Sequence, residues 1–184
     1  MAEAPKTEKR YIMLTGTIEE KKADEVMEKL IEMNTVDCKT PIMLVVDSYG
    51  GHIDAMWAII DAIKLSVAPV YTLCMGKAMS AGFMILLSGE KGRRYITPHA
   101  RAMMHEMSSM SWGRAHQLEV DHEEDMKIQK QLEAWVVKHT NMDAKFVKEK
   151  MKIDFYMTSE EAKKFGVVDG VVESFSKIPL KKWK

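Results

Sequence analysis

An excess of charge of either sign is missing from this chain: 27 Lys and Arg balance 27 Asp and Glu over 184 residues. A neutral chain has no electrostatic hold on nucleic acid or an anionic membrane, so neither is expected as a partner. Cysteine is scarce as well. Cys38 and Cys74 form neither a CxxC pair nor any zinc-ligand spacing, and with no secretory context both read as reduced, buried thiols. The polar start, MAEAPKTEKR, holds no hydrophobic signal region. Apolar runs such as Phe83–Leu87 fall far short of a bilayer's thickness. These absences point to a cytoplasmic protein. No two histidines stand at i, i+4, which excludes a zinc-binding helix; no metal or cofactor is expected.

The remaining composition, 46% apolar and 29% charged, suits one soluble globular domain. Methionine is abundant, at 17, and reads first as adaptable core filler. Residues 1–10 and 173–184 read as loose ends around a domain spanning 11–172. Within it, YIMLTG (11–16) suggests a strand, and 19–33 a helix with Ala23, Val26, Met27, Leu30 and Ile31 on one face. PIMLVVDS (41–48) and PVYTLCM (69–75) are continuous apolar runs, as in strands buried on both faces. Gly50-Gly51 breaks the first run ahead of a helix over 53–65, and a helix follows the second over about 80–88. RRYIT and ARAMMHEM suggest further strands, and 114–140 one long helix. Strands alternating with helices predict an α/β fold with a mostly parallel sheet. Such sheets place their sites where strand passes into helix. Two junctions qualify: DSYGG (47–51) and MGKAMSAG (75–82).

Ser80, at the second junction, reads on position alone as an N-cap. Its neighbours Gly76, Ala78, Ala81 and Gly82 are small, however, and would let a substrate approach. The Ala81 N–H would then point from a helix N-terminus, where developing negative charge is favoured. Gly50 and Gly51 read either as a plain turn or as a source of a second such donor, from Gly51. A serine nucleophile needs a base. Of six histidines, His105 lies on an apolar strand, while His116, His122 and His139 sit among charges. The base in turn needs an orienting carboxylate. Asp154 is flanked by apolar and aromatic residues, an odd place for a solvated acid, and is expected in a fixed loop before the Thr158–Glu161 capping box, a buried structural Asp being the alternative.

Ser80 in GKAMSAG, His105 in PHARAMMH and Asp154 in KIDFYMTSEEAKKFGVVD follow one another in the order Ser–His–Asp. These phrases resemble the Clp protease proteolytic subunit (ClpP) family over about residues 11–172, with DSYGG in the place of its SPGG turn. The resemblance implies a crotonase-like α/β fold of stacked βαβ units, with a protruding handle over about 105–140. It implies a serine endopeptidase that cleaves unfolded polypeptides in an oligomeric chamber: Ser80 nucleophile, His105 base, Asp154 its partner, and Gly51 and Ala81 N–H groups the oxyanion hole. Peptide would add as a strand beside Gly50 and the segment after His105, with Met104, Glu106 and Met107 in the groove. Met103 and Met110 would join a pliable methionine cluster there. Self-association into heptameric rings, stacked as a tetradecamer, is implied too.

Three departures modify the expectation. Tyr49 replaces the turn's proline, so the turn is expected to be looser or to gain a contact. Glu106-Met107 stands where the family has Gln-Pro, which sets a carboxylate beside the base. Only ten residues precede Tyr11, which argues against the family's usual AAA+ unfoldase partner and suggests a divergent or phage-encoded form. Two other classes stay open. A scaffold subunit with little proteolysis is one, and a crotonase-type acyl-CoA enzyme, which needs no Ser–His–Asp set, is the other.

Overall fold

A computed structural model describes residues 9–178 of the chain. In chain order its elements are β1 (Tyr11–Ile18), α1 (Glu20–Val36), β2 (Ile42–Gly51), α2 (Ile53–Leu65), β3 (Val70–Met79), α3 (Ala81–Leu87), β4 (Arg94–Ile96) and β5 (Arg101–Met104). The long helix α4 (Ala115–His139) follows, then α5 (Ala144–Met151), β6 (Phe155–Met157), α6 (Ser159–Lys164) and β7 (Gly170–Val171). β1, β2, β3, β4 and β7 form a parallel sheet in that order. This is the expected α/β architecture.

Burial explains the strands. Ile42 to Val46 are all buried, so both faces of β2 are covered. One face carries the main core, against which α1 sets Ala23, Val26 and Leu30 and α2 sets Met56, Ile59, Ile60 and Ile63. The opposite face holds a smaller cluster of Met43, Val45, Tyr71, Leu73, Tyr95, Val172 and Ile178. Ile178 is only 3% exposed, so the expected loose C-terminal tail packs at least that far. The rest of that tail, and residues 1–8 of the loose N-terminus, lie outside the described residues. Of the two thiols, Cys74 is buried as expected, but Cys38 is exposed, because it falls in the turn after α1 rather than on a packed element.

The sheet forks along β3, and the fork positions the site. Thr72–Cys74 pair with β4, whereas Lys77–Met79 pair with β5, also in parallel. Between them Gly76 adopts φ 84°, inside a bulge that sets Val46 against Cys74 and Ser48 against Ala78. A Cβ on Gly76 would lie 2.8 Å from Asp47 Oδ1, so the bulge requires glycine. β6 then pairs antiparallel with β5.

The long helix α4 has two unlike halves. Its C-terminal half buries Gln129, Leu132 and Val136, while residues 115–120 are exposed throughout. Arg94, 4% exposed, anchors the packed end: its Nε and Nη2 donate to Asp169, and Nη1 donates to His139 O at 2.6 Å. Burial works against the Asp169 carboxylate, but the Arg94 hydrogen bonds and charge outweigh it and hold its pKa below the usual range. Among the described residues no helix is long and apolar enough to cross a membrane.

Candidate active site

Ser80 alone makes the turn from β3 into α3. Its backbone lies at φ 52°, ψ −122°, and it is the sole non-glycine residue with positive φ among those described. Such a conformation costs about 1–3 kcal/mol and persists where the surroundings over-determine it. Here the Ser80 N–H donates to Met103 O at 3.0 Å, and Ser80 O accepts from the N–H groups of Phe83 and Met84. The hydroxyl forms no cap hydrogen bond, so the N-cap interpretation of this serine fails. Ser80 lines a cavity at the start of α3.

The glycines of DSYGG do not break β2, as the sequence suggests; they complete it. Gly50 and Gly51 pair with Thr17 and Ile18 of β1. A Cβ on Gly51 would sit 2.1 Å from Ile18 O, and one on Gly50 (φ 111°) would meet Ser80 Cβ at 2.7 Å and Met79 O at 2.9 Å. The two junctions therefore touch, and Gly50 is glycine because Ser80 lies against it. Ser48 fixes the turn from within: its hydroxyl, fully buried, donates to Gly16 O at 2.5 Å and accepts from Gly50 N–H at 3.0 Å. Tyr49 makes the added contact expected of it. Its exposed ring lies 4.4 Å from Lys77 Nζ, which also bonds Asp47 Oδ1 at 2.7 Å.

His105 follows β5 and Asp154 precedes β6. Because Met104 pairs with Phe155, the next residues outward face each other, and His105 Nδ1 lies 3.2 Å from Asp154 Oδ1. Asp154 differs from expectation in its surroundings: its side chain is 55% exposed, not buried. Of the apolar neighbours that suggested burial, Ile153 at 62% and Tyr156 at 51% exposure face outward, while Phe155 is half-buried against the core. Tyr156 Oη donates to Asp154 Oδ2 at 3.5 Å. The capping box that begins at Thr158 forms as read from sequence. Among the described residues, no other histidine reaches the cavity. His52 pairs with Glu20, and His139 is tied to Trp135 O.

A cavity of about 150 Å³ brings these pieces together: Gly51, Ser80, Ala81, Met104, His105, Glu106 and Met107 all line it. Gly50 supports Ser80 from behind instead of lining it. Met103 is buried and Met110 is 95% exposed, so neither joins the lining. Other methionines take their place: Met56 of α2, Met84 of α3 and Met151 of α5, with Ile53, Phe83 and Leu132 beside them. Sequence reasoning missed this wall, because a residue that lines a cavity has the same helical periodicity as one in the solid core. Cys74 offers no rival nucleophile, since burial pushes its thiol up to about 12. Among the described residues no cluster of His, Cys, Asp or Glu is arranged to hold a metal ion.

A serine hydroxyl with no cap hydrogen bond, at a cavity shared with an imidazole held by a carboxylate, is an arrangement suited to acyl transfer. Comparison with known proteins points the same way. Residues 5–175 match the Clp protease family model. Over 167 residues the chain is 34% identical to ATP-dependent Clp protease proteolytic subunit 1 of Bifidobacterium longum (strain NCC 2705), covering 90% of this chain and 72% of that protein. A match this long, with the site's elements inside it, shows that the chain belongs to the Clp protease family.

Proposed function

We propose that this chain is a ClpP-type serine endopeptidase in which Ser80, His105 and Asp154 form the catalytic triad. The observation that carries the reading is Ser80: a non-glycine residue held at φ 52°, with its hydroxyl uncapped, at a cavity shared with His105. Asp154 accepts from Nδ1–H of His105, which fixes the tautomer and leaves Nε2 as the base. His105 takes the Ser80 proton as Oγ attacks the peptide carbonyl, then gives it to the leaving amine. The N–H groups of Gly51 and Ala81 hold the oxyanion, Ala81 from the first turn of α3. Water then attacks the acyl-enzyme by the same route in reverse.

Peptide adds as a strand between the Gly50-Gly51 turn and the segment after His105. Hydrolysis is downhill and needs no ATP. Assembly into stacked heptameric rings, in the cytoplasm, encloses the cavities. The exposed half of α4 supports this, since Met110 and Trp112 before it and Val120 within it are 60–95% exposed.

Ser80→Ala is expected to abolish labelling by a fluorophosphonate and to lower peptide hydrolysis by about 10⁴- to 10⁶-fold. One observation favours a second reading, a scaffold subunit with weak activity: the Ser80 hydroxyl has no hydrogen bond to His105 in this state. Catalytic hydrogen bonds often tighten only when substrate binds. A native mass showing rings, with no labelling of Ser80, would establish the scaffold instead.

A further inference from the structure

His105 stands between a paired strand and a segment that belongs to no helix or strand. Before it, Met104 pairs with Phe155. After it, the Glu106 N–H donates to Met151 O at 2.6 Å, a backbone contact at the end of α5. The next two bonds go to side chains of α4. Gln129 Oε1 accepts from the Met107 N–H at 3.0 Å, and Asp125 Oδ2 accepts from the Ser109 hydroxyl. Their spacing is regular: four residues of helix rise about 6.0 Å, and two residues of extended chain advance about 6.6 Å. Residues 107–109 therefore run antiparallel to α4, with one side-chain bond per helical turn.

The two bonds are unlike. Asp125 and Ser109 meet at the surface, where water competes. Gln129 is 9% exposed, on a helix face whose other buried residues, Leu132 and Val136, are apolar. An amide buried there costs free energy unless both its ends are bonded. Both are, since Nε2 donates to Glu133 Oε1 at 3.0 Å. Packing requires no amide at this position; the Met107 N–H requires an acceptor.

We propose that Gln129 is a positioning residue, acting through the backbone of residues 106–107 to hold His105 at the cavity it shares with Ser80. This rests on the assignment of Ser80 as nucleophile and His105 as its base. Asp154 is 55% exposed, so water competes for its contact with the imidazole, and the main chain supplies the rest of the placement. Without Gln129, the segment after His105 would keep one backbone bond and one surface bond.

The test is the rate at which a small fluorophosphonate, which needs Ser80 and its base but no peptide groove, modifies Ser80. Gln129→Met keeps the length of the side chain and removes the acceptor. It is expected to label about ten-fold more slowly than the parent, less than the roughly 10²-fold that a 1 Å misplacement can cost. The double variant Q129E/E133Q reverses the pair: a carboxylate at position 129 accepts from Met107, and the amide at 133 donates to that carboxylate. Its labelling is expected to return close to the parent rate. Val136→Ala controls for stability, opening a cavity in the same buried face without touching the segment. It should lower Tm and leave the labelling rate unchanged. Parent-rate labelling of Q129M, an equal loss in V136A, or a double variant as slow as Q129M overturns the inference. Gln129→Asn, whose shorter side chain withdraws the acceptor, replaces Q129M if that variant does not fold. A parent that does not label at all overturns the assignment of Ser80 beneath, whereas a labelled parent matched by Q129M overturns the role of Gln129 alone.

Discussion

The two strand-to-helix junctions solve one geometric problem in opposite ways. β2 enters α2 through Gly50, Gly51 and His52, and uses glycine where backbone must touch backbone. β3 enters α3 through Ser80 alone, and keeps a side chain in a conformation that glycine adopts far more readily. The first junction uses glycine and ties the Gly50 N–H to Ser48 Oγ; the second holds a non-glycine residue at positive φ and leaves its hydroxyl without a cap hydrogen bond. Strain is therefore tolerated only where a side-chain atom is needed, and the Gly50–Ser80 contact makes each junction the other's support.

Adding a single methyl group to the glycine junction is expected to break the contrast hardest. In Gly51→Ala the new Cβ would fall 2.1 Å from Ile18 O, inside the paired β1–β2 ladder, where neither strand can yield cheaply. Displacing that N–H should lower kcat by about 10²- to 10³-fold, the usual effect of losing one oxyanion donor. Gly50→Ala should act similarly by pushing on Ser80 Cβ. Parent-like kcat in both variants would show that the turn has no part in catalysis. Ser48→Ala should do less. It leaves the Gly50 N–H without its acceptor, which costs about 1–3 kcal/mol and lowers Tm by several degrees in a chain of this size. Thermal unfolding of the variant gives the answer directly.

Legibility in the sequence follows the same division. β2, β3 and α2 announce themselves by continuous apolar runs or helical periodicity, because burial dictates them. The site residues do not. Ser80 looks like a cap until the backbone shows its hydroxyl unbonded, and Gly50-Gly51 looks like a break although it is paired strand. Both depend on a contact between segments about thirty residues apart, which local pattern cannot report. Asp154 misleads for a related reason: hydrophobic neighbours predict burial only when they face inward, and Ile153 and Tyr156 face out. The order Ser–His–Asp identified the partners through family resemblance, whereas the fork in β3 that delivers His105 had no sequence signal beyond Gly76.

The smallest effect is also the sharpest test of strain at the second junction. Replacing Ser80 with glycine removes a conformational cost of about 1–3 kcal/mol and adds the backbone entropy of glycine, about 0.5–1 kcal/mol. The difference favours the variant, so Ser80→Gly should be inactive yet more stable by about 1 kcal/mol, a rise in Tm of about 2–4 °C. Ser80→Ala, equally inactive, keeps its Cβ and so the strain, and should show no such rise. The pair separates loss of the hydroxyl from relief of the backbone. If both variants melt with the parent, the φ of 52° is not a strained conformation in this setting, and the junctions differ in chemistry alone.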